Sequence, residues 1–225
     1  TALVTVTASK ASAEQRTGRA GRTEPGVSYR LWSKVEHASR PRTPDPEITQ
    51  VDLAGLALEL AVWGTPAAEL DFIDQPPAKA MRQGIDLLTA LGALQPDGRP
   101  SELGTRMSSL PLHPRLARMV IEAERIGHGM LGCVLATLVD ERDLFRGRPD
   151  QLPADLSLRV GVLCGAGGFD GGEVADRRDV HRLRDRAADL ARRAGVSFEL
   201  SAVDPHASGM VLGFAYPDRL AGYLT

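Results

Sequence analysis

A proline-rich segment divides this 225-residue chain into two parts with different sequence patterns. Its ten residues, 38–47 (ASRPRTPDPE), include three prolines and show no apolar periodicity. Proline fixes φ and cannot donate a backbone hydrogen bond, so neither a helix nor a central strand can run through such a segment. The pattern predicts a linker over residues 38–46, with separate structural units on either side.

The part before the linker shows the order strand, helix, loop, strand. Residues 2–8 (ALVTVTA) are rich in β-branched residues, and residues 27–33 (VSYRLWS) alternate apolar and polar side chains, which predicts two short strands. Residues 11–17 between them are compatible with a helix that Ser12 caps. This order is typical of the end of an α/β domain, which we assign to residues 1–37.

The part after the linker is predicted to be mostly α-helical. Residues 53–63 carry leucines on one helical face, and Gly64 follows them, where a left-handed glycine can end the helix. A second helix is expected over residues 77–91, and a small hairpin should turn at Pro96-Asp97-Gly98. Two or three short helices closed by a hairpin are typical of a winged-helix domain, which we assign to residues 47–107.

More helices are predicted further along the chain. Pro114 can begin one of them, because the first turn of a helix does not need its missing N–H. Residues 129–143 follow as a nearly all-apolar helix that suits the centre of a bundle. Two further helices, at residues 155–164 and 177–195, complete a helical bundle that we assign to residues 108–203.

The last apolar stretch is predicted to be a strand. Residues 210–224 (MVLGFAYPDRLAGYL) alternate before they reach a proline-containing turn, and they resemble the first strand of a β-domain over residues 204–225. The expected fold class is therefore multi-domain, an α/β end followed by a mostly α region and the start of a β-domain.

Charge is distributed unevenly along the chain. The net charge is −2, which predicts no strong overall attraction to nucleic acid. Between Lys10 and Arg42, however, eight basic residues face three acidic ones, a local charge of +5. The sequence has no run of eighteen apolar residues, and its N-terminus lacks the basic leader and apolar stretch of a signal peptide. We therefore expect a cytoplasmic protein without membrane association.

Residues 15–22 (QRTGRAGR) carry the most informative chemistry. Two glycines allow backbone to approach a ligand closely, and arginines at intervals of three bring planar, permanently charged forks to one place. Such forks match phosphate oxygens, and the neutral amide of Gln15 can orient a water or a phosphate oxygen. Phosphoryl transfer needs this combination, because its transition state spreads negative charge over the transferred oxygens. A solvated basic turn, or the Arg/Gly composition of flexible RNA-binding tails, is the alternative interpretation.

The segment around these residues resembles motif VI of the DEAH-box superfamily 2 RNA helicases. Its Gln-Arg-x-Gly-Arg-x-Gly-Arg core is intact, and the flanking SKASA and PGVSYRL also fit. The resemblance continues through PEITQVDLAGLALELAVWG and LGTRMSSLPLHPRLARMVIEA, which are similar to the start of the family's winged-helix domain and of its helical ratchet domain. Gln75 and the late AYPDRLA are similar to the bacterial HrpB-type branch.

The resemblance implies roles for five residues of the motif. Arg19 and Arg22 would be arginine fingers on the γ-phosphate of ATP. Gln15 would position the attacking water or the γ-phosphate, and Gly18 would allow close approach of the nucleotide. Arg16 would hold the loop or couple the ATP state to the grip on RNA. The residues expected to contact nucleotide are therefore Gln15, Arg16, Gly18, Arg19 and Arg22.

Other motifs of a complete motor are not in this sequence. It contains no Gly-x-x-x-x-Gly-Lys-Ser/Thr phosphate loop and no Asp-Glu-x-His for magnesium, so the chain alone is predicted to be inactive as an ATPase. ATP and Mg²⁺ would be bound mainly by an ATP-binding half. Residues 140–143 (DERD) imitate the second motif but lie after motif VI, and we interpret them as a helix end. No metal site is expected, because the histidines and cysteines show no ligand spacing.

The resemblance implies part of an ATP-dependent RNA helicase that moves on single-stranded RNA. The expected partner is single-stranded RNA, bound weakly and without sequence preference, and the chain is expected to be a monomer. The alternative is a non-catalytic RNA-binding or scaffold module derived from a helicase. Residues upstream of the motif would distinguish the two hypotheses, since only a motor needs the phosphate loop.

Overall fold

Helices dominate the computed structural model of this chain, which describes residues 6–148, 150–165, 173–174 and 176–219. Within these residues the contacts divide the chain into two compact units. The first unit runs to Val51 and includes Phe72–Pro77, and the second comprises Asp52–Asp71 and the described residues from Ala78 onward. The mostly α-helical region predicted after the linker is confirmed. Among the described residues, no helix is both long and apolar enough to cross a bilayer.

The first unit contains helices α1 (Lys10–Gly18) and α2 (Lys34–Ser39). Ser9, not Ser12, caps α1: its side chain accepts a hydrogen bond from the Ser12 amide at 3.1 Å. A capping box begins α2, in which Ser33 and Glu36 bind each other's backbone amides. These bonds lower the pKa of the Glu36 carboxyl. Both helices are short and have few buried residues, so caps contribute much of what defines them.

The proline-rich segment is attached to α1. The first two amides of the helix, those of Lys10 and Ala11, donate to the carbonyls of Pro41 and Arg42 at 2.9 and 3.0 Å. Arg40 donates to the Ala8 carbonyl at 3.0 Å, and its guanidinium lies 4.1 Å from the centre of the Trp32 ring. These bonds satisfy amides that a helix start leaves without partners, so this part of the predicted linker is fixed by hydrogen bonds.

The two strands predicted for this unit are not present in its described residues. Residues 1–5 lie outside the described part, and residues 6–8 belong to no strand. Residues 27–33 are also not a strand, and Val27, Tyr29 and Leu31 are 75, 86 and 94% exposed. Alternating apolar residues form a strand only when a neighbouring strand takes their amides and a core covers their face. Neither condition is met within the described chain, so the strand predicted at residues 27–33 does not form there. The assignment of residues 1–37 to the end of an α/β domain stays a prediction.

The second unit begins with two helices and a small hairpin. Helices α3 (Ala54–Trp63) and α4 (Ala78–Ala90) pack together, and Gly64 ends the first with φ of 73°, as predicted. A single antiparallel bridge joins Leu94 to Pro100 across the predicted turn, and α5 (Glu102–Ser108) follows. The pattern of leucines and turn residues predicted α3, α4 and the turn, whereas α5 was not predicted.

Two glycines in this region allow very close packing. A Cβ on Gly104 of α5 would lie 2.0 Å from the Ala93 carbonyl oxygen, far inside any real contact. A Cβ on Gly84 of α4 would lie 3.1 Å from the backbone of Ala54 at the start of α3. Glycine therefore sets how closely α5 approaches the hairpin and how closely α4 approaches α3.

A helical bundle forms the rest of the second unit. Its centre is α7 (Gly129–Asp140), in which ten of twelve residues are buried, as its all-apolar sequence predicted. Around it pack α6 (Pro114–Arg125), α8 (Leu156–Cys164), α9 (Arg177–Ala194) and the additional helix α10 (Ser208–Ala215). Pro114 occupies the first turn of α6, as expected. Burial in this bundle raises the pKa of the Cys133 thiol to about 12.

The strand predicted near the end of the chain is wrong over its described residues. Residues 208–215 form α10, which packs on α6 and α7 and buries Val211 and Ala215, one helical turn apart. Two arginines of α6 satisfy the carbonyls at its end: Arg118 donates to Phe214, and Arg115 to Ala215 at 3.0 Å. A short apolar run fits helix or strand equally well, and the contacts with α6 decide the outcome. Residues 220–225 lie outside the described part.

A two-stranded ribbon and a buried arginine lie beside the bundle. Strand β1 (Phe145–Arg146) pairs antiparallel with β2 (Glu173–Val174), and this ribbon was not predicted from the sequence. Most of the glycine-rich segment before β2, residues 165–172 (GAGGFDGG), lies outside the described residues. The Arg159 side chain, 7% exposed, binds both carboxylate oxygens of Asp143 at 2.8 and 2.6 Å. These bonds lower the pKa of the Asp143 carboxyl. A buried guanidinium needs such a partner, so this pair fixes the segment between α7 and α8.

Candidate functional site: an arginine-rich loop

The five predicted site residues lie together at the C-terminal end of α1. Gln15, Arg16 and Gly18 belong to the last turns of the helix, and Arg19 is its C-cap with helical dihedrals of −71° and −27°. Because Gln15 and Arg19 are four positions apart on helical backbone, their side chains lie on the same side of α1. Arg22 follows three residues later in the turn.

The loop after α1 is closed by two contacts. The Thr17 hydroxyl lies 3.4 Å from that of Ser28, and it also donates to the Ala13 carbonyl one turn back in the helix. Gly26 packs directly on Ala20, since a Cβ at Gly26 would lie 1.9 Å from the Ala20 carbonyl oxygen. These contacts fix the path of the backbone between Arg19 and Arg22. Thr17, Gly26 and Ser28 were not predicted as site residues, because the spacing of the motif does not show which residues close its loop.

The polar side chains of the site are exposed and unpaired within the described chain. Gln15, Arg16, Arg19 and Arg22 make no side-chain hydrogen bond or ion pair with another described residue. Most other arginines of the structure do make such contacts; the bonds of Arg40, Arg115 and Arg159 are examples. A guanidinium that no carboxylate neutralises is available to an external anion.

Space for a ligand is open at the motif glycines. A Cβ placed on Gly18 or on Gly21 would meet nothing within 4 Å. Neither glycine has the positive φ that would require glycine for conformational reasons. Packing within the described chain therefore gives no reason for glycine at these two positions, whereas it gives a clear one at Gly26. Close approach of a ligand remains a physical reason for glycine there.

The acidic segment at the end of α7 has a structural role in this chain. Asp140 is the last residue of α7, and Glu141 binds Arg182 of α9 at 2.9 Å and also pairs with Arg186. These ion pairs connect the end of one bundle helix to the middle of another, which agrees with the interpretation of residues 140–143 as a helix end. Among the described residues, no group of three or more His, Cys, Asp or Glu could hold a metal ion.

Comparisons with known proteins identify helicases as relatives. HrpB of Escherichia coli (strain K12), an ATP-dependent RNA helicase, is 39% identical over 249 residues, which covers 97% of this chain and 30% of HrpB. HrpA of the same organism, also an ATP-dependent RNA helicase, is 38% identical over 65% of this chain and 11% of its own length. The probable ATP-dependent RNA helicase DHX35 of Homo sapiens is 36% identical over 66% of this chain and 22% of its own length.

Solved structures give the same result. Two crystal structures of E. coli HrpB match 96 and 94% of this chain with TM-scores of 0.67 and 0.71 and sequence identities of 31 and 30%. The match covers 24% of each HrpB chain, so this chain spans less than a third of the relatives it matches. No family model matches the chain.

Proposed function

Because this chain is a homologue of the HrpB-type DExH-box ATP-dependent RNA helicases over nearly its whole length, we propose that it supplies the arginine-finger half of a helicase ATP site. The observation that carries the proposal is the set of unpaired guanidiniums on the closed loop after α1. Arg19 and Arg22 would contact the γ-phosphate of ATP held by an ATP-binding half.

The proposed chemistry is electrostatic. In phosphoryl transfer the transition state spreads charge over the oxygens of the transferred group, and an arginine that reaches them across a domain interface contributes roughly 10³–10⁵ in turnover. Gln15, on the same side of α1 as Arg19, would position the attacking water or the γ-phosphate. Gly18 would leave room for the nucleotide, and Arg16 would hold the loop or connect the nucleotide state to RNA. Magnesium would be held by the ATP-binding half.

The second unit would provide the RNA side of the cycle. We infer a winged-helix domain from α3, α4, the bridge and α5, and a ratchet domain from helices α6 to α9, which correspond to the predicted divisions 47–107 and 108–203. ATP binding would draw the arginines onto the γ-phosphate, and release after hydrolysis would reopen the cleft while the bundle holds single-stranded RNA. Alternation of the two states would move the RNA.

The test is a chimera in which this chain replaces the matched part of E. coli HrpB. We expect RNA-stimulated ATP hydrolysis by the chimera and a loss of roughly 10³-fold in Arg19→Ala and in Arg22→Ala, with nucleotide binding retained. Arg42→Ala is the matched control, because Arg42 is another exposed arginine of the first unit whose side chain has no partner among the described residues. Turnover in the two motif variants equal to that of Arg42→Ala would refute the assignment.

A binding measurement separates the motor from the alternative, a non-catalytic RNA-binding module. We expect the chain alone to bind single-stranded RNA weakly, without sequence preference, and less tightly as salt increases, because phosphate contacts release counterions. Filter binding at two salt concentrations measures this. Tight binding by the chain alone, together with a chimera that hydrolyses no ATP, would favour the module instead.

A further inference from the structure

The starts of α3 and α6 are connected through two side chains. The Asp52 carboxylate accepts a hydrogen bond from the Ala54 amide, the first of α3, at 2.7 Å. The His113 ring caps α6, since its Nδ1 accepts from the Arg115 amide at 3.3 Å. The other ring nitrogen of His113, Nε2, lies 3.5 Å from the second carboxylate oxygen of Asp52. We call this pair of side chains, Asp52 and His113, the cap joint.

The geometry of the cap joint determines where the imidazole carries its proton. An amide N–H can bond to Nδ1 only when that nitrogen has a free lone pair, so the neutral ring must carry its hydrogen on Nε2. That hydrogen then faces Asp52. Pro114 has no N–H, so the Arg115 amide is the first donor of α6, and His113 is its acceptor. The neutral ring therefore accepts from the first amide N–H of α6 and faces the Asp52 carboxylate, which accepts from the first amide of α3.

We propose that the cap joint is a proton-sensitive connection between α3 and α6. Protonation places a hydrogen on Nδ1, so His113 loses its ability to accept from Arg115 and the cap of α6 opens. The same proton strengthens the attraction between the ring and Asp52. In acid, α6 therefore loses its N-cap, and the contact between His113 and Asp52 at the start of α3 becomes tighter. In the proposed domain scheme, α3 opens the winged-helix domain and α6 the ratchet domain, so this change acts where the two meet.

Two charges act on the protonated ring, and they act in opposite directions. The positive end of the α6 dipole opposes a second positive charge at its N-cap. On the α3 side the facing charge is Asp52, whose side chain is 56% exposed, so its attraction for the ring is screened and small. The guanidinium of Arg115, on α6, is bound by Asp218 at 2.6 Å in the segment after α10. Asp52 is therefore the charge that compensates His113.

The first test is the ring tautomer of His113 in the complete chain. Long-range ¹⁵N–¹H spectra at pH 8 should show His113 neutral with its hydrogen on Nε2, and acidification to pH 5 should shift the Arg115 amide resonance as its acceptor is lost. In His113→Asn the Arg115 amide should not move over this range, because asparagine caps helices well and does not titrate there. A neutral ring with hydrogen on Nδ1 would overturn the proposal.

The second test measures stability. Asp52→Asn keeps an acceptor for Ala54 but removes the charge, so acid leaves only the loss of the α6 cap. From pH 8 to pH 5 its folding equilibrium constant should fall about fivefold more than that of the double variant Asp52→Asn/His113→Asn, the typical effect of losing an N-cap. The other four histidines are common to both proteins, so the comparison isolates the contribution of His113. Equal pH dependence of the two proteins would overturn the proposal.

Discussion

Replacement of Gly26 by alanine should damage the arginine-rich loop without removing any charge. The new Cβ would lie 1.9 Å from the Ala20 carbonyl oxygen, whereas real Cβ atoms essentially never approach closer than 3.0 Å. The backbone segments at Ala20 and Gly26 must therefore move apart by at least about 1.1 Å. Ala20 lies between Arg19 and Arg22, so this movement displaces the two guanidiniums.

The consequence for catalysis follows from how strongly phosphoryl transfer depends on position. A misplacement of about 1 Å can cost roughly 10²-fold in rate. We therefore expect Gly26→Ala, in the HrpB chimera, to lose about 100-fold in RNA-stimulated ATP hydrolysis while nucleotide binding persists. The thermal midpoint of the isolated chain should change little, since the residues of this loop are exposed.

A spectroscopic control separates loop displacement from a general disturbance. In ¹⁵N–¹H spectra of the isolated chain, Gly26→Ala should shift the amides of Thr17, Ala20 and Ser28. Gly21→Ala should leave these amides nearly unchanged, because its Cβ would meet nothing within 4 Å. Two results would show that the packing of Gly26 does not position Arg19 and Arg22 for catalysis. In one, Gly26→Ala moves none of these amides; in the other, it moves them and the chimera keeps full turnover.

Three further predictions concern the second unit. Asp143→Ala should lower the free energy of unfolding by about 2 kcal/mol in urea titrations, because it leaves the buried Arg159 guanidinium with only the Pro153 and Asp155 carbonyls as acceptors and no compensating charge. The bond with Arg159 lowers the pKa of the Asp143 carboxyl in the folded protein. The stabilisation it gives is therefore present above the unfolded carboxyl pKa of about 3.9 and is lost as pH falls through the lower pKa of the folded protein. An Asp143→Ala variant that loses as much stability in acid as the unmodified chain would contradict this. Gly104→Ala should destabilise by about 1–3 kcal/mol, whereas Gly161→Ala, at an open helical position, should be neutral or stabilising by calorimetry. Cys133, with a pKa of about 12, should resist thiol reagents at pH 8 until the chain unfolds, and rapid labelling of the native protein would show that it is not buried.

Most helices of the described residues were predictable because their signals are local, whereas α2, α5 and α10 were not predicted. Gly64 ends α3, Pro114 begins α6, and the apolar run of α7 could only be placed at the centre of a bundle. Strand formation depends on partners elsewhere in the chain, which no local pattern reveals. The alternation of residues 27–33 therefore predicted a strand that has no neighbour in the described residues, and β1–β2 was too short to leave a signal.

The error at α10 has a related cause. Its eight residues, Ser208–Ala215, are too few for helical periodicity to be distinguished from alternation. The helix is favoured by residues about a hundred positions away, because Arg118 and Arg115 of α6 donate to the carbonyls at its end. For the candidate site, spacing identified the arginines of residues 15–22, but the closure of their loop by Gly26 and Ser28 depends on a backbone path that the sequence does not display.

In the proposed function, Arg19 and Arg22 reach the terminal phosphate of ATP. A crystal structure of the HrpB chimera with Mg²⁺, ADP and aluminium fluoride, an analogue of the transferred phosphoryl group, measures this directly. We predict both guanidiniums at hydrogen-bonding distance from the fluoride ligands, about 2.7–3.0 Å. A structure with the analogue bound in its cleft, and both guanidiniums more than about 6 Å from it, would contradict the claim.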